Sequence, residues 1–211
     1  MLFPTFTFIL FFLPLNFNAP YRAENIADFW RKWHITLGRF LMQALYIPLG
    51  GNRCSKLRIC LNLWIVFLVS GIWHGAGWMF ILWGIMHGTA LCIHRIWSKY
   101  AKLKMPRLLA QILTFLFVAL AWVPFRATSG KITGQIYKAV FMPESFKFAM
   151  PSLFEISLFM IGFIIICFMP TSAELGKKFR PTWYNAVLTI VLTVVSMFLF
   201  VKVSPFIYFN F

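Results

Sequence analysis

The chain has 211 residues, of which 61% are apolar and 19% aromatic, and its mean hydropathy is +0.78. A soluble domain cannot bury 26 Phe and 9 Trp and still present a polar surface. The formal charge of +15 would suggest nucleic-acid binding in a soluble chain. Here the basic residues flank apolar segments, a pattern typical of orientation signals and lipid-headgroup contacts. The composition therefore predicts an integral protein of the lipid bilayer and excludes a nucleic-acid-binding domain.

The first stretch of the chain is apolar but interrupted. Residues 1–15 carry no charge and contain Pro4 and Pro14, so they predict a partial membrane crossing. They lack the basic start and the small-residue cleavage site of a signal peptide. Residues 16–20, Asn-Phe-Asn-Ala-Pro, then predict a turn.

An amphipathic helix is predicted from Asp28, a suitable N-cap, to the Pro-Leu-Gly-Gly-Asn turn at 48–52. At about 100° per residue, its apolar arc consists of Phe29, Trp30, Trp33, Leu37, Phe40, Leu41 and Ala44, and its polar side of Lys32, Thr36, Arg39 and Gln43. Asp28 is spaced to pair with Lys32. His34 lies on the rim of the apolar arc and is expected to face what this helix packs on. Such a helix is predicted at the membrane interface or in a protein-lined cavity.

The remaining apolar segments predict the architecture. Membrane crossings are expected at 59–72, 79–97, 108–125, 153–169 and 186–203. Between the third and the fourth, Ile132, Ile136 and Val140 recur at helical spacing and predict a short surface helix. The expected fold is all-α and polytopic, with about five transmembrane helices, a partial N-terminal segment and interfacial helices, in a single domain over residues 1–211.

The basic residues predict the orientation of these crossings. The loops at 53–58, 95–107 and 177–180 carry 11 Lys and Arg, against 5 in the opposite loops and C-terminal end. The positive-inside rule places the loops with 11 in the cytoplasm. The C-terminus and the turn around His74 are then expected on the outer side.

The stretch Ser-Gly-Ile-Trp-His-Gly-Ala-Gly-Trp at 70–78 lies near the middle of a long uncharged apolar run. A titratable side chain in or near a membrane is costly, which makes His74 a candidate functional residue. A single imidazole can deprotonate an alcohol as it attacks an activated carbonyl. Gly71, Gly75 and Gly77 are expected to let a substrate approach the backbone, while Trp73 and Trp78 exclude water. The alternative is a plain hairpin turn whose histidine donates to a carbonyl or faces water.

Other chemistries fit the residues less well. His87 and His94 share a helix face, but three or four convergent ligands are missing, so no metal site is predicted. Ser70 can touch His74 one turn away, yet no acid is placed to complete a triad, and Ser70 is expected to satisfy backbone groups. The four cysteines are spaced as small core residues and not as a disulfide framework.

Several segments resemble one family. The stretches NFNAPYRAENIADFWRKWHITLGRFLMQALYIPLGGNR at 16–53, SGIWHGAGWMFILWGIMHG at 70–88, AWVPFRA at 121–127 and SPFIYFNF at 204–211 are similar to the membrane-bound O-acyltransferase (MBOAT) family, in its alginate O-acetylation branch. The resemblance covers the C-terminal half of the family's fold, which leads us to expect that an N-terminal half is missing from this chain.

The resemblance implies a set of roles. His74 would be the family's catalytic histidine and His34 its second functional histidine. Around them we expect Trp30, Trp33, Trp73, Gly75 and Trp78 to line the substrate pocket. It implies a bacterial plasma (inner) membrane location, a secreted or membrane-anchored partner protein and a polysaccharide acceptor. No tightly bound cofactor is expected, since an activated acyl donor, acetyl-CoA or an acyl-carrier thioester, would act as co-substrate.

The leading hypothesis is a membrane O-acyltransferase, or a fragment of one, that moves a short acyl group, most simply acetyl, to hydroxyls of a surface or exported polysaccharide. The alternative is a non-catalytic or truncated membrane subunit of such a system. A small transporter ranks last, because it would need charged residues or broken helices along several crossings.

Overall fold

The computed structural model describes residues 16–101, 105–142, 151–178, 180 and 182–199, and the regular elements in these ranges are all helical. They are a 3-10 turn Pro20–Arg22, α1 Ile26–Lys32, α2 Ile35–Leu41, a π-helical turn Met42–Tyr46, α3 Lys56–His74, α4 Trp78–Tyr100, α5 Arg107–Arg126, α6 Gly130–Phe141, α7 Leu153–Phe168, α8 Ser172–Lys178 and α9 Trp183–Leu199. The described residues up to Met169 form one compact unit, which contains α1 to α7. Those from Pro170 onward form a second, which contains α8 and α9.

Three helices are long and apolar enough to cross a membrane, namely α3, α4 and α5. They confirm the first three predicted crossings, and α6 confirms the predicted short helix. The fourth and fifth predicted crossings correspond to shorter apolar helices, α7 and residues 183–195 of α9. The all-α membrane architecture is thus confirmed, with three full-length spans among the described residues. The partial crossing predicted at 1–15 and the end of the fifth crossing beyond residue 199 lie outside the described residues.

Helices α3 and α4 form a hairpin whose backbones touch. A Cβ atom added to Gly71 would lie 2.3 Å from the carbonyl oxygen of Phe80, and one added to Gly84 would lie 2.4 Å from that of Phe67. Small residues allow this close approach between transmembrane helices, where packing replaces the hydrophobic effect. The expectation that Gly71 leaves room for a substrate is therefore wrong, because helix packing fills that space.

The amphipathic segment differs from the predicted single helix. It begins at Ile26, because Asn25 and not Asp28 is the N-cap, and the Asn25 side chain accepts from the Asp28 backbone N–H. The helix then breaks, since His34 adopts a left-handed conformation with φ of 45°. The predicted pairing of Asp28 with Lys32 is confirmed at 2.7 Å.

The break between α1 and α2 turns side chains in directions that a continuous helix would not. Phe40, assigned to the apolar arc, is exposed, whereas Leu41 is buried. The predicted stop at 48–52 is confirmed, and Gly50 and Gly51 supply the positive φ angles that it requires.

The core of the first unit forms where α1 packs on α3 and α4. Its buried residues are Ala23, Ile26, Phe29, Leu41, Tyr46, Val66, Phe67, Leu91 and Val118. Helices α3, α4 and α5 also present many large apolar side chains outward, as expected of surfaces that face lipid.

The glycine contact yields a stability prediction. We expect Gly84→Ala to destabilise the α3–α4 hairpin by about 1–3 kcal/mol, the usual cost of overpacking, because the added methyl group meets the Phe67 carbonyl. The matched control is Gly134→Ala on α6, where an added Cβ has nothing within 4 Å and alanine favours the helix by about 1 kcal/mol. Thermal unfolding in detergent, followed by size-exclusion chromatography, measures both. Equal unfolding midpoints for the two variants would show that the close approach of Gly84 to the Phe67 carbonyl does not limit the stability of the hairpin.

Candidate active site

His74 is the last residue of α3. The helix ends there because Gly75 has an extended backbone, although its N–H still donates to the carbonyl of Ile72. The His74 side chain is buried, with 6% of its surface exposed. Its ring packs edge-to-face against Trp83 of α4 at 5.4 Å and Phe125 of α5 at 5.0 Å between centroids. Three helices therefore converge on this imidazole.

His34 occupies the break between α1 and α2. Its left-handed backbone is uncommon for a residue other than glycine and costs about 1–3 kcal/mol. The Nδ1 atom is buried and has no hydrogen-bond partner among the described residues. Burial lowers the pKa of His34 below its ordinary value of 6.5. At neutral pH this imidazole is consequently uncharged, with a lone pair available on one nitrogen.

The segment 16–18 holds the break in place. The Asn16 carbonyl accepts from the backbone N–H of Ile35 at 3.0 Å, and its side-chain oxygen accepts from both the backbone N–H and the hydroxyl of Thr36 at 3.1 and 2.8 Å. The Asn18 backbone N–H donates to the Lys32 carbonyl at 2.8 Å. These bonds replace the helical bonds lost at the break and fix the orientation of His34.

The two predicted catalytic histidines lie near each other although they are far apart in the sequence. Their imidazoles are close enough for an electrostatic interaction. Aromatic rings also connect them: Trp33 beside His34 contacts Trp122 at 5.1 Å, and Trp122 contacts Phe125 at 5.0 Å. Phe125 in turn contacts His74. The fold therefore brings His34 and His74 to one site, in apolar surroundings.

The four predicted pocket tryptophans fall into two groups. Trp30 and Trp33 are half-buried in the core, where Trp30 contacts Phe67 at 4.9 Å and Trp33 stacks on Phe29 at 5.7 Å. Trp73 and Trp78 flank His74 but are 63% and 79% exposed. The Trp73 ring nevertheless packs edge-to-face on His74 at 4.8 Å between centroids, so Trp73 lines the imidazole together with Trp83 and Phe125.

Ser70 behaves differently from the prediction. It is buried, and its hydroxyl has no hydrogen-bond partner among the described residues, so the expected backbone bond is not formed. The cysteines are free thiols, of which Cys92 is buried and donates to the Cys60 carbonyl at 3.5 Å. Within the described ranges, no three potential metal ligands among His, Cys, Asp and Glu lie together.

Sequence reasoning assigned no role to His87, which the structure buries in the same region. Its Nδ1 accepts a hydrogen bond from the indole N–H of Trp30 at 3.2 Å, and its ring contacts Trp83 at 4.8 Å. The sequence did contain an indication of the contact with Trp83, because Trp83 and His87 are four residues apart and therefore share one helix face. The pairing with Trp30 depends on tertiary packing and left no local pattern.

Comparisons with known proteins identify the family of the chain. The profile of the MBOAT, membrane-bound O-acyltransferase family matches residues 9–128. The chain is 58% identical over 118 residues to a peptidoglycan O-acetyltransferase of Helicobacter pylori, covering 54% of this chain and 22% of that protein. It is 44% identical over 126 residues to a probable alginate O-acetylase of Azotobacter vinelandii, covering 60% and 25%. A teichoic acid D-alanyltransferase of Streptococcus thermophilus is 33% identical over 96 residues, covering 42% and 23%.

The match covers more than half of the chain and includes both histidines, so the chain belongs to the membrane-bound O-acyltransferase family. It is an integral membrane protein with three helices of spanning length among the described residues. The chain spans about a quarter of the length of the relatives named above.

The hydrogen bonds around His34 yield a second prediction. Asn16→Ala removes both bonds that the side chain accepts from the part-buried donors of Thr36. We expect a loss of about 1–3 kcal/mol, since a hydrogen bond contributes about 0.5–1.5 kcal/mol. Asn18→Ala is the matched control, because its backbone bond to Lys32 survives the change. Chemical unfolding of both variants in detergent measures the difference. If Asn16→Ala lost no more stability than Asn18→Ala, the two bonds from Thr36 to the Asn16 side chain would not stabilise the break.

The lowered pKa of His34 predicts a pH dependence. Above about 6.5, the pKa of an unfolded histidine, both states are neutral and His34 adds no pH dependence. As the pH falls below that value, the unfolded chain binds the proton first, so stability decreases until the folded-state pKa is reached. We expect His34→Asn, which tolerates the left-handed backbone and does not titrate, to show a smaller loss between pH 7 and pH 5. Parallel pH profiles of the two proteins would refute this.

Proposed function

We propose that this protein acts in membrane O-acyl transfer, moving a short acyl group, most simply acetyl, to hydroxyls of a cell-surface or exported polysaccharide. The observation that carries the proposal is the convergence of His74 and His34 in an apolar site. The named relatives, a peptidoglycan O-acetyltransferase and a probable alginate O-acetylase, support both the reaction and the acceptor class.

In the proposed reaction His74 is the general base. Its imidazole takes the proton of an acceptor hydroxyl as the oxygen attacks the acyl carbon of an activated thioester. The carbon–sulfur bond then breaks, and the proton passes from His74 to the departing thiolate, so that an ester and a free thiol remain. General-base assistance of this kind contributes about 10²–10⁴-fold. The buried aromatic walls formed by Trp83 and Phe125 keep competing water away from the acyl group.

His34 is proposed as the second polar group of the site. Because burial keeps it neutral, it can donate to an oxygen of the substrate through one nitrogen or accept from the acceptor hydroxyl through the other. Its fixed backbone, tied by Asn16 and Thr36, supports a positioning function, since a hydrogen-bonding group must be oriented before the substrate arrives.

The exposed tryptophans suggest where the acceptor binds. Trp73 and Trp78 sit at the α3–α4 turn beside His74 and present large aromatic surfaces. Aromatic rings combine an apolar face with a polar edge and pack well against partly apolar ligands such as sugar rings. We infer that these two side chains line the entrance for the polysaccharide, with Gly75 between them and Trp30 and Trp33 supporting the inner wall.

The charge distribution suggests the direction of transfer. The basic residues of the loops at 53–58, 95–107 and 177–180 favour a cytoplasmic location of these loops. We infer that the His74 turn and the C-terminus lie on the outer side of a bacterial plasma membrane. A donor thioester, either acetyl-CoA or an acyl carrier, would then deliver the acyl group from the cytoplasm. A secreted or membrane-anchored partner would complete delivery to the polysaccharide.

The test is a chromosomal His74→Ala substitution in the organism that carries the gene. We expect at least a hundredfold loss of alkali-released acetate from surface polysaccharide, the lower limit for removal of a general base. His94→Ala is the matched control, because His94 is half-buried on α4, about 24 Å along the helix from its start, and should leave acetylation unchanged.

Acetylation retained in the His74→Ala strain, at normal protein level, would refute the catalytic role of His74. A strain that lacks the whole gene separates this result from the alternative. If deletion also leaves acetylation unchanged, the protein is a non-catalytic member of such a system. If deletion abolishes acetylation and His74→Ala does not, another residue is the base.

A further inference from the structure

His87 is an imidazole enclosed by aromatic rings. Only 2% of its surface is exposed. Centroid distances from its ring are 6.4 Å to Phe29, 6.0 Å to Phe67, 5.1 Å to Trp30, 4.8 Å to Trp83 and 5.5 Å to Phe117. Burying a polar ring among apolar ones is costly unless the ring forms a hydrogen bond. A phenyl ring would fill this apolar space without the cost of burying a polar group, so the presence of histidine at position 87 needs a further explanation.

The hydrogen bond to Trp30 supplies the reason for a histidine. The indole N–H is a donor only, and it points at Nδ1 of His87 at 3.2 Å. His87 must therefore be neutral, with its proton on Nε2, because a protonated imidazole has no acceptor. A phenyl ring in this place would leave the Trp30 N–H without a partner.

This bond joins α1 to α4. Trp30 lies on α1 one turn before His34, whereas His87 lies on α4 one turn after Trp83. Trp83 is almost fully buried between the two imidazoles, with its ring 4.8 Å from His87 and 5.4 Å from His74. His87 thus contacts Trp83, which packs on His74, and Trp30, which lies four residues before His34 in the sequence.

We propose that His87 is a positioning residue, which fixes α1 against α4 through Trp30 and holds Trp83 against His74, and so sets the geometry between His34 and His74. The proposal rests on the function proposed above. His87 does not act on the substrate itself, since the aromatic rings close around it. A misplacement of about 1 Å in a catalytic pair can lower the rate by about a hundredfold.

The kinetic test compares three variants of the protein in native membranes, each normalised to the amount of folded protein. His87→Phe keeps an aromatic ring and removes the acceptor, His87→Asn places an oxygen near the position of Nδ1, and Trp30→Phe removes the donor. We expect His87→Phe to lower kcat by about ten- to a hundredfold with KM for donor and acceptor unchanged. His87→Asn should recover most of that loss. The double variant with Trp30→Phe should be no slower than His87→Phe alone, because the two changes break the same bond.

A second measurement does not depend on activity. In protein labelled with ¹⁵N-histidine and placed in lipid bilayers, solid-state NMR should show His87 neutral with its proton on Nε2, the signal being assigned by its loss in His87→Asn. Trp30→Phe should shift the signals of His34 and His74, while Phe141→Leu on α6, a substitution of an exposed side chain, should not.

Full turnover of folded His87→Phe, or strictly additive effects of the Trp30 and His87 substitutions, would overturn the proposal. So would unmoved His34 and His74 signals in Trp30→Phe. If the unaltered protein transfers no acyl group, the proposed function fails, but the NMR shifts still decide whether His87 positions the other two imidazoles.

Discussion

The structure depends on the backbone contact between α3 and α4. Inside a bilayer, apolar helix faces gain little by meeting each other instead of lipid, so association rests on close packing. The backbones at Gly71 and Gly84 each lie directly against a backbone carbonyl of the other helix. His74 follows Gly71 by one turn and Trp83 precedes Gly84, so the same contact places the imidazole against the indole. The glycines that let the hairpin close therefore also determine one wall of the candidate site.

The second wall comes from a helix that breaks. A left-handed residue costs about 1–3 kcal/mol, and several hydrogen bonds from the 16–18 segment, each contributing about 0.5–1.5 kcal/mol, offset this cost at His34. The break between α1 and α2 changes the direction of the His34 side chain. In a continuous helix the His34 side chain would follow the helical rotation, whereas at the break its ring lies beside Phe17. The neighbouring Trp33 contacts Trp122, which contacts Phe125 of the His74 site.

The sequence was informative where the signal is local. The three longest apolar runs predicted α3, α4 and α5, and the position of His74 within such a run identified it as a candidate residue. The break at His34 was missed because apolar periodicity continues through it, and the Asn16 side chain that replaces the lost bonds lies in a preceding turn. The role of Gly71 and the pairing of His87 with Trp30 are tertiary. A single sequence does not encode either as a spacing.

The acidic residues in the described part of the chain stabilise its helices. Asp28 pairs with Lys32 and Arg31, and Glu24 pairs with Arg107. Glu155 and Glu174 accept from backbone N–H groups at the starts of α7 and α8. The His74 ring packs against the aromatic rings of Trp73, Trp83 and Phe125. In the reaction proposed above, water would compete with the acceptor hydroxyl for the acyl carbon, so aromatic walls that exclude water favour transfer over hydrolysis.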